Sequence, residues 1–371
     1  MRNGIEGFMA ERLVELTEDR FNEENLRLLE QTPAAALGSC RLKLPTLDFE
    51  NPEKIAVYQR IFEVIEKFDI RYFFYIGGND SMDTVAKLSA YAEKIGYDIR
   101  IIGVPKTIDN DLAVTDHTPG FASAAKYIAT TVREIIRDCA VYTVKAVTIV
   151  EIMGRGAGWL SASAALGRLA DGTEPDYIYL PECVFDMESF FADIERAFEK
   201  HPNIVIAVSE GLRLADGSYV GESTVKSEAD MFGHKALAGT AKALEYAVKE
   251  RFGCKVRSIE VNLSQRCAGH LLSATDIEES VNIGREAVNS AVKGVSGEVM
   301  IYVRESGEKY NCKIEHHKAS DIANEIKYLP NSFINEAKNG VTDECCGYLL
   351  PLIAGEYPVV YEYGLPKHIV I

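Results

Sequence analysis

At 371 residues, with 47% hydrophobic and 26% charged side chains, the chain exceeds what one hydrophobic core usually organises and is expected to form two domains. Its formal net charge of -16 repels nucleic acid and anionic membranes, so an anionic substrate would need cations gathered in one cleft. No apolar run reaches the length of a bilayer span, "MRNGIEGFMAERL" lacks a signal-peptide layout, and the eight cysteines form no C-x-x-C pair, which together point to reduced thiols in a cytoplasm. The seven histidines include the pair His316 and His317 but no H-x-x-x-H spacing, which argues against a zinc site.

Residues 1–31 read as polar and helical, ending in "NEENLRLLEQ", where an α/β domain would usually open on a strand. "RYFFYI" (71–76) is the first strand. The helix after it carries Val85, Leu88, Ala92 and Ile95 at helical spacing and closes near Gly96. "IRIIGVP" (99–105) is the next strand, followed by a helix with Phe121, Ala125, Ile128, Val132 and Ile135 on one face. "AVTIVEIM" (146–153), "DYIYLP" (176–181), "NIVIAVSEG" (203–211) and "VRSIEVNL" (256–263) continue the series, separated by helical stretches such as "SFFADIERAFEKH" and "KALAGTAKALEYAVKERFG". Apolar strands alternating with amphipathic helices predict an α/β fold of mainly parallel sheets covered on both faces, with ligands at the carboxyl ends of the strands. The C-terminal third, including "EVMIYVRE" (298–305), carries no motif and is expected to add strands, helices and subunit contacts.

Polar clusters lie where those strands hand over to helices. "GGNDS" (Gly77, Gly78, Asn79, Asp80, Ser81) combines glycines that let backbone N–H groups approach an anion with a helix N-terminus, although a tight turn capped by Asp80 or Ser81 explains the pair equally well. "VPKTIDNDLAVTDHTPGF" (104–121) is more specific. Lys106 can neutralise phosphate oxygens, Thr107 can hydrogen-bond one, Asp109 can take a hydroxyl proton and Asp111 can support a metal or orient its neighbour. An Asx-rich turn explains one of these aspartates but not Lys, Thr and two Asp in six residues. Then come "EIMGRGAGWL" with Met153, Gly154 and Arg155, "VSEG" with Glu210, and "VRSIEVNLSQR" with Arg257 and Arg266, cations suited to clamping phosphate.

The set "GGNDS", "PKTIDND…TDHTPGF", "VEIMGR", "SEG" and "R…QR", in this order from about Gly38 to Arg266, resembles the 6-phosphofructokinase family, and within it the pyrophosphate-dependent enzymes. The resemblance implies two Rossmann-like domains with the active site in the interdomain cleft: 1–140 plus 263–371 binding the phosphoryl donor, and 141–262 binding fructose 6-phosphate. It implies that Asp109 takes the proton from the C1 hydroxyl of fructose 6-phosphate. Thr107 and Asp111 would line the same loop, and Met153, Gly154, Arg155, Glu210 and Arg266 would hold the sugar phosphate. Arg257 matches a residue that reaches a neighbouring subunit's site, which implies a homodimer or homotetramer. Arg41, in "GSCR", resembles the donor-side arginine. ATP users have glycine where Asp80 and Lys106 stand. An acid at 80 would repel and displace a nucleotide's α-phosphate while the Lys106 ammonium neutralises bound pyrophosphate.

The implied cofactor is Mg2+, near the position of Asn79, where the family usually has Asp. Two other departures are Leu263 in place of a sugar-phosphate histidine and Lys145 near the place of an intersubunit arginine. Met1 also aligns downstream of the family's opening strand and G-G-x-x-x-G-x-N donor loop. The expected activity is reversible phosphoryl transfer between pyrophosphate and fructose 6-phosphate. The readings weighed against it are an ATP-dependent 6-phosphofructokinase and a catalytically silent sugar-phosphate-binding regulatory subunit.

Overall fold

The computed structural model describes residues 1–19, 21–221, 239–307 and 309–370. The helical pattern read from Lys235 therefore begins outside the described residues, and its described part starts at Thr240. In chain order come α1 (Gly4–Met9), α2 (Glu23–Gln31), α3 (Pro52–Lys67), β1 (Tyr72–Gly77), α4 (Asn79–Ile95), β2 (Arg100–Pro105) and α5 (Phe121–Cys139). Then follow β3 (Ala146–Ile152), α6 (Trp159–Ser163), α7 (Gly167–Asp171), β4 (Tyr177–Tyr179), α8 (Met187–Phe198), β5 (Asn203–Ser209), α9 (Thr240–Phe252) and β6 (Lys255–Glu260). The chain ends with α10 (Ala274–Val292), β7 (Glu298–Arg304), β8 (Cys312–Lys318), α11 (Asp343–Leu349), β9 (Tyr361–Glu362) and β10 (Leu365–Pro366).

Two sheets organise these elements. The first has the order β1-β2-β7-β8, parallel except for the antiparallel pair β7–β8, so its strands come from both ends of the sequence. The second has the order β4-β5-β3-β6 and is parallel throughout. This is the two-domain α/β architecture expected from the alternating pattern. The separate β9–β10 hairpin is antiparallel.

Alternation along the strands assigns each apolar side chain to a face. In the first sheet Phe73, Tyr75, Ile101, Val299 and Ile301 join a core with α3, α4 and α1, while Ile102, Val104, Met300 and Tyr302 face α10. Gly103 sits under α4, where an added Cβ would lie 2.9 Å from Met82 Sδ and from Val299. In the second sheet Val147, Ile149, Ile204, Ile206 and Val208 face α8 and α9, and Val150, Ile152, Val205 and Ala207 face α5 and α6. Helices thus cover both faces of both sheets, as near-continuous apolar parallel strands require. Leu329, Phe333, Val341, Cys345, Cys346 and Leu349 fill the same core as α5, so the late segment closes over the second sheet.

The amino end differs from a continuous polar helix. The described residues between α1 and α2 are not helical, and α1 buries Ile5 and Phe8, the latter edge-on to Phe73 at 5.3 Å between ring centroids. The start of α2 is set by Asn22, whose side chain accepts from Asn25 N at 2.9 Å. No helix among the described residues is long and apolar enough to cross a membrane.

Candidate active site

The donor-side turn follows β1. Lys106 N donates to Gly77 O at 2.9 Å, holding the ends of β1 and β2 together, and a Cβ on Gly77 would sit 2.1 Å from Ser81 Oγ. Only glycine fits there. Gly78 caps α4 without a side chain, leaving the first backbone N–H groups of a 17-residue helix facing the cleft. Asp80 opens that helix. Its Oδ1 pairs with Lys43 Nζ at 3.1 Å, an exposed ion pair that sequence reasoning did not single out; Arg41 lies two residues earlier on the same segment and is exposed. Lys106 projects into a groove of about 410 Å3 that it shares with Ile108, Gln265 and Arg266.

Asn79 has a different role from a metal ligand. Its Oδ1 accepts from Asn324 N at 2.6 Å and its Nδ2 donates to Glu325 O at 2.7 Å. Both polar atoms are committed to backbone groups, so the amide ties the helix start to a distant segment instead of opening to a cation.

The turn after β2 holds the residues expected to carry the chemistry. Thr107 Oγ1 accepts from Asp109 N at 3.2 Å, and Thr118 Oγ1 donates to Thr107 O at 2.7 Å, folding the turn back on itself. Asn110 adopts φ 55°, a left-handed conformation that asparagine tolerates better than most residues, and it is fully buried. This kink places Asp109 and Asp111 on one short stretch. Burial pushes the Asp109 carboxyl up to about 7, with Asp111 and Glu210 adding repulsion and Arg155 and Arg266 opposing it. Burial also raises Asp111, with Asp80 adding to the shift and Lys327 opposing it. Those influences show that the structure brings Asp109, Asp111, Glu210, Arg155 and Arg266 together from both sheets.

The residues expected to hold the sugar lie at the ends of β3 and β5. Gly154 has φ 124° and an added Cβ would stand 2.5 Å from Ala157 O, so glycine is required. Ser209 Oγ donates to Gly154 O at 2.7 Å, and Met153 N donates to the buried Gln265 Oε1 at 3.2 Å. Gly211 lies against Arg155, where a Cβ would meet Arg155 O at 2.0 Å. Arg155 Nε is buried with no hydrogen-bond partner among the described residues, an unsatisfied donor of the kind that an anionic ligand completes. Burial raises the Glu210 carboxyl while Arg155 opposes the shift.

Arg257 stands apart. It pairs with Thr148 early in β6 and lines a small cleft with Tyr142, Val144, Asn203 and Lys255. Strands run away from that end, so a residue three positions before the carboxyl terminus of β6 cannot join Asp109 in the same chain. Lys145 lies near the same end, its ammonium 4.8 Å from the Phe198 ring centroid. Leu263 is exposed.

Four further residues shape the site. Asp276, from α10, accepts from Gly120 N at 2.8 Å and Ser123 N at 3.0 Å, capping α5 just after the turn that follows β2. Glu182 Oε1 accepts from Gly158 N at 2.8 Å and Leu329 N at 2.9 Å. Lys327 bonds the turn after β2 directly, and burial lowers its ammonium to about 7 against the pull of Asp116 and Asp111. His117 bridges Asp116 at 2.9 Å and Glu279 at 2.7 Å; burial opposes its protonation, but the two carboxylates prevail and raise it. Apart from the neighbouring His117–Asp116 pair, none has a local sequence signal, because the other partners lie far away along the chain. Among the described residues, no three or more His, Cys, Asp or Glu gather as a metal cage.

Two α/β domains bring the Asp109 carboxylate between acids and guanidinium groups, an arrangement suited to an anionic ligand and to proton transfer. The chain belongs to the phosphofructokinase family, whose sequence model, described as Phosphofructokinase, matches residues 1–261. It is 40% identical over 369 residues to the pyrophosphate–fructose 6-phosphate 1-phosphotransferase of Halomonas elongata, covering 98% of this chain and 85% of that one. It is 41% identical over 371 residues to the enzyme of the same name from Xanthomonas campestris pv. campestris, covering 99% and 87%. The crystal structure of a pyrophosphate-dependent phosphofructokinase from Nitrosospira multiformis superposes with a TM-score of 0.87 at 36% identity, covering 99% of this chain and 86% of that one.

Proposed function

We propose that this chain transfers a phosphoryl group from pyrophosphate to the C1 hydroxyl of fructose 6-phosphate, giving fructose 1,6-bisphosphate and phosphate. The observation that carries this reading is the placement of Asp80 and Lys106 on adjoining turns beside Asp109, Arg155 and Arg266. The names of the similar proteins from Halomonas elongata and Xanthomonas campestris support it. Ionised Asp109 accepts the C1 hydroxyl proton as that oxygen attacks the terminal phosphorus, and the bridging P–O bond breaks with phosphate leaving. Arg155 and Arg266 hold the sugar phosphate, and Lys106 neutralises the donor. The phosphoanhydride cleaved and the ester made differ far less in free energy than ATP and the ester do, which makes the reaction reversible.

Mg2+ fits this site as a hard cation held by one or two carboxylates plus donor phosphate oxygens. Asp111 is the residue that would hold it, since its carboxyl is buried, repelled by Asp80 and compensated only in part by Lys327. The ion would neutralise charge on the transferred group. Arg257, remote from Asp109 in its own chain, is read as completing the site of a second copy in a homo-oligomer.

The deciding experiment measures fructose 1,6-bisphosphate formation by purified protein with Mg2+. Turnover from pyrophosphate and none from ATP is expected, and equal or faster turnover from ATP overturns the donor assignment. Tight fructose 6-phosphate binding without turnover from either donor would instead identify a silent binding subunit.

A further inference from the structure

The segment 322–330, between β8 and α11, carries no motif, yet it touches the turns after β1, β2 and β3. Asn324 and Glu325 hold the Asn79 side chain at the donor turn. Ile326 forms an antiparallel bridge with Leu112, and Lys327 N donates to Asp111 O at 2.8 Å. On the sugar side, Lys327 O accepts from Trp159 Nε1 at 3.0 Å.

The Lys327 side chain is the centre of this strap. Its Nζ donates to Asn110 Oδ1 at 3.1 Å, Thr115 O at 3.0 Å and Asp116 O at 2.6 Å. An ammonium has three N–H donors, and all three are used on one turn. That leaves none for a ligand, which distinguishes a holding role from phosphate binding. The turn needs holding. Asp109 and Asp111 repel each other across Asn110, and the kink at Asn110 is a conformation that the backbone does not favour on its own. The Lys327 amino group, bonded to carbonyls on the far side of the kink, satisfies those acceptors and in its protonated form also offsets the charge of Asp111. A methionine side chain of the same volume does neither.

We propose that Lys327 is a positioning residue for phosphoryl transfer, its three ammonium hydrogen bonds fixing the turn that presents Asp109 and Asp111 to the sugar. This rests on the phosphotransferase reading above. Displacing a reacting group by about 1 Å costs on the order of 100-fold in rate without needing to alter affinity, so the effect belongs in kcat.

The test uses Lys327→Met, which keeps the volume, in the full-length protein with pyrophosphate, Mg2+ and fructose 6-phosphate. A fall in kcat of about 10- to 100-fold with KM for fructose 6-phosphate changed less than about threefold is expected. Hydrogen–deuterium exchange of the peptide covering 107–118 should accelerate, with the strands of the second sheet unchanged. Asn110→Gly, which removes one acceptor but permits the left-handed backbone, supplies the same two readings should Lys327→Met fail to fold. If both single variants fold, their double variant should lose less than the product of the separate losses. Unchanged kcat together with unchanged exchange in either variant overturns the inference. An inactive parent protein would refute the phosphotransferase reading alone, because exchange at 107–118 still decides whether Lys327 holds the turn.

Discussion

Asp109 combines two demands that oppose each other. A base must be ionised to accept the hydroxyl proton, yet burial holds its carboxyl near 7. The kcat/KM of the free enzyme should therefore fall as pH drops through about 7, a limb that a pH–rate profile would show and that a limb near 4 would contradict. Stability follows the opposite sign. The folded chain binds more protons than the unfolded chain between about pH 4 and 7, so stability falls as pH rises through that window and stays lower above it. Asp109→Asn should abolish most turnover while raising stability at pH 8 by roughly 2–4 kcal/mol, with little change at pH 4, as measured by denaturant unfolding. The donor turn makes a separate prediction. Asp80→Gly with Lys106→Gly removes the blocking carboxylate and the cation, and pyrophosphate turnover should fall while ATP turnover rises. A double variant that still rejects ATP would show that other residues exclude the nucleotide. These side chains were legible because "GGNDS" and "PKTIDND" place them within a few residues of one another. Lys43 and Lys327 were not, since each finds its partner across the fold.

At the scale of elements, α5 and α9 each begin on a left-handed glycine that offers no capping side chain, Gly120 with φ 96° and Gly239 with φ 94°. Distant carboxylates supply what is missing. Asp276 accepts from Gly120 and Ser123, and Glu151, at the end of β3, accepts from Ala241 N at 2.7 Å. Burial raises both carboxyls, Glu151 to about 7, which measures how far each is withdrawn from water to serve a helix start. Asp276→Ala should destabilise the protein by about 1–3 kcal/mol in chemical denaturation, because it leaves two N–H groups unpaired beside the catalytic turn. Replacement at exposed Asp343 in the first turn of α11 should cost less than about 1 kcal/mol. The strands read from their apolar runs end within three residues of the observed ones, whereas α3, α10 and α11 were not read and the amino end was read as more helical than it is. The caps were not legible either, since nothing local in "PGFASA" points to an acid on α10.

At the scale of the molecule, the site exists because the chain leaves the first sheet after β2, builds the second, and returns through α10 to add β7 and β8. Both sheets then point strand ends into one cleft. Arg257 is the exception, at the wrong end of β6 for its own site. If it completes a neighbour's site, mixing an Asp109→Asn variant with an Arg257→Ala variant and allowing subunits to exchange should restore activity at about a quarter of the sites of a random dimer. No recovery in a mixture shown to have exchanged would place Arg257 outside catalysis.

Strand and helix periodicity, the -16 charge that demanded a gathered cationic cleft, and the identities of Asp80, Lys106, Asp109 and Arg155 were determined by the sequence itself. Those features are local, arising from side-chain spacing and from residues that neighbour one another along the chain. Which groups hold them in place was decided by the tertiary structure. Asn79 turned from a cation to backbone carbonyl and amide groups, Lys327 closed on the catalytic turn, and Asp276 capped a helix from another part of the chain. A hydrogen bond forms wherever burial leaves a donor facing an acceptor, and burial is settled only when distant segments meet.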